Sequence, residues 1–524
     1  VPRDGRANPL GRNGTALLSL SLLIGLVTHG WNLFRYPLYL SDEGIYMQQA
    51  WSVLREGKLS PYTYFYDHAP MGWLTLAAWV AVIPGQFNSF GFPVNIGRVL
   101  MVIVHLGCVF LLFEVVRRYS RSMGAAFLAT FLFNVSPLGV YFQRMVLLDN
   151  LMVFWVLVGL YILARKDGRV VTAMGAGMAF GLAVITKENA IFLLPGFGYL
   201  LHRSIVRQGN RRFSATFWWF AAGSPIAMYV LYAGLKNELM PAGMDFNLSS
   251  PPADHVSLAY TIWWQLNRNA SGGQGTMFAT LLNSSWMFKD RYLLIIGLVA
   301  TVTSALLSVN KRNREMPLVG ATLLTIGYGF YLTRSVLLDF YVAPLVPLLA
   351  LNIGLLYGRL VRGAKTAAVA LLTTCLCGMP LPYPHGYLVS YNSDGTKILI
   401  ADQYRLHQTS IQLEQLAWIR ANIPPQSRLI IDDDIWVALR DGTPAYPNAQ
   451  SHFKAAGDPD IRDKIFHQDW HYVDYVVMSN KMRDALTRNN ETWILEAIDQ
   501  HGERAWQVDR GDVHLEIIKI NNTG

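Results

Sequence analysis

The sequence predicts a polytopic α-helical membrane protein of about eleven transmembrane helices, followed by a C-terminal soluble α/β domain. Three observations predict this class. Hydrophobic residues make up 52% of the 524 positions and charged residues only 15%, whereas a soluble domain carries about 25% charged residues; the mean hydropathy is +0.25. Apolar runs near bilayer length recur as far as residue 382. Beyond Tyr383 the apolar runs stop and short strand and helix patterns replace them.

The spans are expected at 15–34, 97–116, 122–138, 147–164, 170–186, 189–203, 213–234, 291–309, 316–333, 337–359 and 364–382. Several fall short of the ~20 residues that cross a bilayer without tilt or local thinning. The first is too long for a removed signal peptide and reads as an uncleaved anchor. The run from Pro70 to Gly85 is a further apolar segment. Loop charge decides how it is placed. Without it, alternate loops collect 19 basic residues, among them Arg117, Arg118, Arg165, Arg211 and Arg359, against Asp4, Asp167 and Glu315. By the positive-inside rule that face is cytoplasmic. Counting 70–86 as a crossing would invert every later loop, so it is expected as a short re-entrant or interfacial helix. The module 1–382 then has its N-terminus in the cytoplasm of a cytoplasmic membrane, and its outer face receives the loops 35–96 and 235–290 and the tail 383–524.

Charge supports this division. The tail holds 14 basic and 20 acidic residues of the chain's 44 and 35, so the +9 net charge is an excess in short membrane loops and points to no nucleic-acid partner. Cys108, Cys375 and Cys377 all lie in apolar runs, with no disulfide framework or zinc spacing. In the tail, 410–421 reads as a helix, and Arg428–Ile431 and Tyr472–Met478 as buried strands. Asp432, Asp433 and Asp434 end the first strand. Such a run could hold a divalent cation, and it is more often the pattern of a solvated strand end or helix N-cap region.

The outer boundary carries the chemistry. Asp42, Glu43, Asp67, His68, Arg144, Asp149, Lys187, Glu188, Arg334 and Asp339 lie there outside any basic cluster. A charge in the membrane costs about 2.5–3.5 kcal/mol near a helix centre and persists where it is paired or lines a watery cavity. A carboxylate facing several cations beside lipid suits transfer from a lipid-linked phosphate donor. The carboxylate takes the proton of an acceptor hydroxyl while the cations hold the leaving phosphate.

Five elements in order resemble the GT-C glycosyltransferases: Asp42-Glu43 after the first helix, Asp67-His68-Ala69-Pro70-Met71-Gly72, Arg144 with Leu148-Asp149-Asn150, Thr186-Lys187-Glu188, and Tyr341 with Pro344 and Pro347. Within that fold they are similar to the protein O-mannosyltransferase and lipid A aminoarabinose transferase group, over about residues 15–360. The resemblance implies a polyprenyl-phosphate sugar donor and transfer with inversion to an extracytoplasmic acceptor, which is a glycan, lipid or protein. It implies Asp42 as general base with Glu43 beside it, and Arg144, Lys187 and Arg334 on the donor phosphate. Tyr66, Asp67, His68, Glu188, Asp149 and Tyr341 would line the acceptor or sugar pocket. Ala69 departs from the group's usual Pro, which weakens a protein Ser/Thr acceptor. No Trp-Trp-Asp element like that of oligosaccharyltransferases occurs in the tail.

Structural roles stand beside these. Glu43 would cap its helix, Arg144 would pair with Asp149, Lys187 with Glu188, and Arg334 would snorkel to the interface. No cofactor is expected to be required, because Arg and Lys neutralise a phosphate without metal, although Asp42, Asp67 and His68 could gather a divalent ion. A transporter or lipid-sugar flippase is the alternative, and its charges would be expected nearer the bilayer midplane. A third reading is a non-catalytic scaffold whose tail binds envelope polymers.

Overall fold

The computed structural model describes residues 10–63, 66–165, 169–205, 210–244, 246, 257–267, 274–309, 316–334, 337–363, 389–391, 397–399, 403–511 and 513–522. Fifteen helices lead the chain: α1 (Arg12–Gly30), α2 (Ser41–Arg55), α3 (Met71–Val82), α4 (Pro93–Ser120), α5 (Met123–Val135), α6 (Pro137–Gln143), α7 (Leu148–Leu163), α8 (Val170–Thr186), α9 (Leu194–Ile205), α10 (Arg211–Leu235), α11 (Leu258–Asn267), α12 (Gln274–Leu281), α13 (Met287–Val309), α14 (Met316–Arg334) and α15 (Leu345–Gly363).

Helices occupy ten of the eleven expected spans; 364–382 lies outside the described residues. Among the described residues four helical stretches are long and apolar enough to cross a bilayer unaided: Arg12–Gly30, Pro93–Ser120, Met277–Val309 and Asp339–Val361. A fifth arises if α5 and α6, bent by 64°, form one crossing. The bend sits at Ser136-Pro137, where proline cannot donate the next helical hydrogen bond. The run 70–86 forms the 12-residue α3. Exposed Leu23 and Val27 on α1, Phe220, Met228 and Leu231 on α10, and Leu298, Val299 and Leu306 on α13 give the bundle an apolar outer surface, as lipid contact requires. Inside, Gly177 and Gly181 on α8 let α10 approach: a Cβ there would lie 2.3 Å from the Trp218 carbonyl oxygen and 2.4 Å from that of Ala222.

The C-terminal region builds α16 (Ser410–Asn422), α17 (Trp436–Arg440), α18 (His452–Gly457), α19 (Pro459–Arg462), α20 (Asn480–Asn489) and α21 (Thr492–Gln500) around strands. β1 (Val389–Tyr391) and β2 (Lys397–Leu399) form an antiparallel pair. β3 (Leu429–Ile431), β4 (Ala449–Ser451), β5 (Tyr475–Ser479), β6 (Gly502–Arg510) and β7 (Val513–Ile520) form a mixed sheet in the order β4-β3-β5-β7-β6, with β3 parallel to both its neighbours. The second expected strand begins three residues late, because Trp470–Tyr472 forms a short 3-10 turn first. Alternation sets the two faces of the sheet. Leu429, Ile431, Val477 and Ile517 join a core continuous with the helical bundle. Ile430, Val476, Met478 and Ile518 pack with Met482, Leu486, Ile494 and Ile498 from α20 and α21.

Helix α2 is the seam between bundle and sheet. Gly44 meets the loop after β3 so closely that a Cβ would lie 2.2 Å from the Asp433 carbonyl oxygen. Trp51 Nε1 and Arg55 Nε each donate at 2.9 Å to Asp441, and the Tyr39 backbone exchanges hydrogen bonds of 3.0 and 2.9 Å with Gln412.

Candidate active site

Asp42 and Glu43 stand in the first turn of α2, where the helix dipole favours negative charge. Consecutive helical residues point about 100° apart, and here the two carboxylates part company. Glu43 turns into the bundle and is fully buried against Arg98 of α4, which is equally buried. Arg98 donates to it at 2.7 and 2.9 Å. The backbone N–H of Leu40, the N-cap of α2, donates at 3.0 Å, and that of Val146 at 2.9 Å. Both oxygens of Glu43 are thereby used internally, which corrects the expectation of a second carboxylate at the reacting centre. Arg98 also donates to the carbonyls of Leu33, Pro37 and Leu38, fastening the chain between α1 and α2. An arginine one turn into a long apolar helix was the signal in the sequence for this pair.

Asp42 points the other way. It is partly buried, and its carboxylate makes no hydrogen bond or salt bridge among the described residues. Burial pushes its pKa up to about 6; Lys187 and His68 oppose that rise, and Asp433 and Asp149 add to it. Tyr46, one turn further along α2, is buried beside the same acid. Lys187 ends α8 in extended backbone and turns inward to bond the Asp149 carboxylate of α7, almost wholly buried. Its Nζ lies 4.3 Å from the ring centre of Tyr341 and 5.0 Å from that of Phe340. The pairing expected between Lys187 and Glu188 is therefore replaced by Lys187 with Asp149. The other oxygen of Asp149 is buried without a partner among the described residues. Glu188 turns outward, bonding His68 Nδ1 at 3.0 Å and the Ala69 N–H at 2.6 Å, so it fastens the 66–70 loop over the site.

The remaining expected residues scatter. Tyr66, in left-handed backbone, is buried with its hydroxyl on Glu238. Asp67 is exposed and lines a cavity of about 310 Å³ with Tyr260, Trp264, His452, Lys454 and Glu491. Arg144 is corrected outright. It is fully buried and donates to the carbonyls of Thr28 at 2.5 Å and Gln403 at 2.9 Å, with the Tyr404 ring 5.2 Å away. It ties α1 to the segment before α16, and pairs with neither Asp149 nor the Asp42 group. The Arg334 side chain lies outside the described residues.

One cation was missed. Lys289 in the first turn of α13 bonds Asp339 at 3.0 Å and is about one-fifth exposed. Asp339 begins the 3-10 turn Asp339–Val342 whose Phe340 and Tyr341 face Lys187. Two lysines thus flank one turn. Its position at the end of the loop 235–290 was the signal in the sequence for Lys289.

The profile of the dolichyl-phosphate-mannose-protein mannosyltransferase family matches residues 67–233, about a third of the chain. No curated protein matches the sequence. Among solved structures, ArnT from Cupriavidus metallidurans bound to undecaprenyl phosphate superimposes with a TM-score of 0.59 at 14% identity, over 97% of this chain and 98% of that one. The oligosaccharyltransferase AglB from Archaeoglobus fulgidus, in complex with an inhibitory peptide and a dolichol-phosphate, gives 0.55 at 13% identity, over 96% and 74%. The chain has the GT-C fold that these structures share.

Proposed function

We propose that this protein is a membrane glycosyltransferase that moves a sugar from a polyprenyl-phosphate donor to an acceptor hydroxyl on the extracytoplasmic side, with inversion at the anomeric carbon. The observation that carries the reading is Asp42: a carboxylate with no hydrogen bond or salt bridge among the described residues, with its pKa raised to about 6, in reach of the field of a buried lysine at the mouth of a helical bundle. A base near neutral pKa combines ionisation with proton affinity.

In this reading Asp42 takes the acceptor proton as the acceptor oxygen attacks the anomeric carbon. The bond from that carbon to the phosphate oxygen breaks, and the phosphate leaves with its electrons. Lys187 and Lys289 neutralise the phosphate from either end of the Asp339–Val342 turn. Asp149 keeps Lys187 compensated before donor arrives, and Tyr341 shapes its seat. Asp67, next to His68 in the chain, lines the cavity beside α11, where Tyr260 and Trp264 offer flat faces to a saccharide. These groups lie at one end of the bundle beside the sheet, which suits transfer better than a midplane transport path. The family profile and the polyprenyl-phosphate complexes of the two similar structures support the donor class.

The test is transfer of labelled sugar from a polyprenyl-phosphate monosaccharide by protein in detergent or liposomes. Asp42→Asn is expected to abolish transfer with unchanged folding; full activity in D42N refutes Asp42 as base.

A further inference from the structure

Three parallel strands end together on the side of the sheet that meets α2. The chain passes from β3 to β4 on one side and returns to β5 on the other, with β3 between them. In an open α/β sheet, the crevice beyond the carboxyl ends at such a switch point is where ligands bind. Asp432 and Asp433 follow β3 directly, Ser451 and His452 sit at the end of β4, and Ser479 ends β5.

Ligand atoms of Asp432, Asp433 and His452 lie within 4.8 Å of one another. The carboxylates are oriented from behind, as metal-ligating acids are. Ser479 Oγ and the Asp433 N–H donate to Asp432 at 2.6 and 2.9 Å. Ser41 Oγ and Gln48 Nε2 each donate to Asp433 at 2.9 Å. Neither acid forms a salt bridge among the described residues, although Lys454 shares its field between Asp433, Asp67 and Asp458. A second observation is independent of the acids. His452 Nδ1 and Ser451 Oγ are sealed from solvent with no hydrogen-bond partner among the described residues, and a buried imidazole nitrogen left unpaired asks for a ligand.

We propose that Asp432, Asp433 and His452 form a binding site for a divalent transition-metal ion of the zinc class, joining the ends of β3 and β4 beneath α2. One imidazole with two carboxylates is a donor set that zinc accepts and that magnesium or calcium, which take oxygen ligands, does not need. The ion fixes Asp433, which in turn holds Ser41 and Gln48 on α2. Its consequence for Asp42 rests on the glycosyl-transfer reading; the binding itself does not.

The experiment uses the full chain in detergent, stripped with chelator and dialysed against ZnCl2, with bound metal counted and thermal unfolding recorded. One zinc per chain and a raised Tm are expected. His452→Gln and Asp432→Asn are each expected to weaken zinc binding at least tenfold without changing the Tm of the metal-free protein, and Asp42→Asn to bind zinc as the parent does. No bound zinc in the parent, or parent-like affinity in H452Q, overturns the site. Failure of sugar transfer leaves zinc binding standing, and absence of zinc leaves the transfer reading standing, so the two fail separately.

Discussion

Glu43→Gln removes one charge from a pair in which both side chains are wholly buried. It leaves the Arg98 guanidinium without its counter-charge and sets an amide N–H2 against a donor of Arg98 and the backbone N–H of either Leu40 or Val146. Removing one partner of a buried ion pair costs about 3–5 kcal/mol, because the survivor stays desolvated. With an unfolding entropy of about 2.1 cal/mol/K per residue, a cooperative chain of 524 residues loses about 3–5 °C in Tm. Tryptophan fluorescence during thermal unfolding in detergent measures the loss, and initial transfer rates well below Tm measure activity. The double variant E43Q/R98M, which takes away the stranded charge, is expected to regain at least half of the lost stability. An unchanged Tm with transfer abolished would refute this reasoning and return Glu43 to the reacting centre.

The acid limb of kcat/KM is expected near pH 6, with activity falling about tenfold per pH unit below it, because the carboxyl of Asp42 is raised to about 6. The sign for stability is opposite: a carboxyl with a higher pKa folded than unfolded binds its proton better in the native state, so stability rises as pH falls through 6. D42N removes both trends, and a pH profile of rate and Tm on the same preparation checks it. Lys289→Met is expected to raise KM for the donor about tenfold or more, a charged hydrogen bond being worth about 1.5–3 kcal/mol, with a smaller effect on Tm because its ion pair is only partly buried. Arg144→Gln is expected to do the reverse, lowering Tm while leaving the donor KM within about twofold; a large KM effect in R144Q contradicts its assignment as a tie. Gly44→Ala forces a Cβ to 2.2 Å from the Asp433 carbonyl oxygen and is expected to destabilise by at least about 1–3 kcal/mol and to depress transfer. Gly198→Ala, with open space around it, serves as the inert control in the same melts.

The helical bundle and the change to strands and short helices beyond it were legible in the sequence, and an outer-face group of charges was its expectation, because bilayer-length apolar runs, loop arginines and short apolar strand runs are local patterns. The sequence also singled out Asp42, Lys187 and His68, whose residue types are costly beside lipid unless paired or hydrated. It could not decide partners. Asp42 and Glu43 are adjacent in the chain, and only the rotation of α2 between bundle and sheet sends one to the open site and the other into Arg98. Arg144 and Lys289 look alike in sequence, yet the first meets the carbonyls of Thr28 and Gln403 while the second meets Asp339 at the site's edge. The approach of Asp433 to Gly44 spans nearly four hundred residues and leaves no local trace. Direction and pairing of a charged side chain are settled by what the rest of the chain brings against it, which here is the packing of α2 against the turn that follows β3.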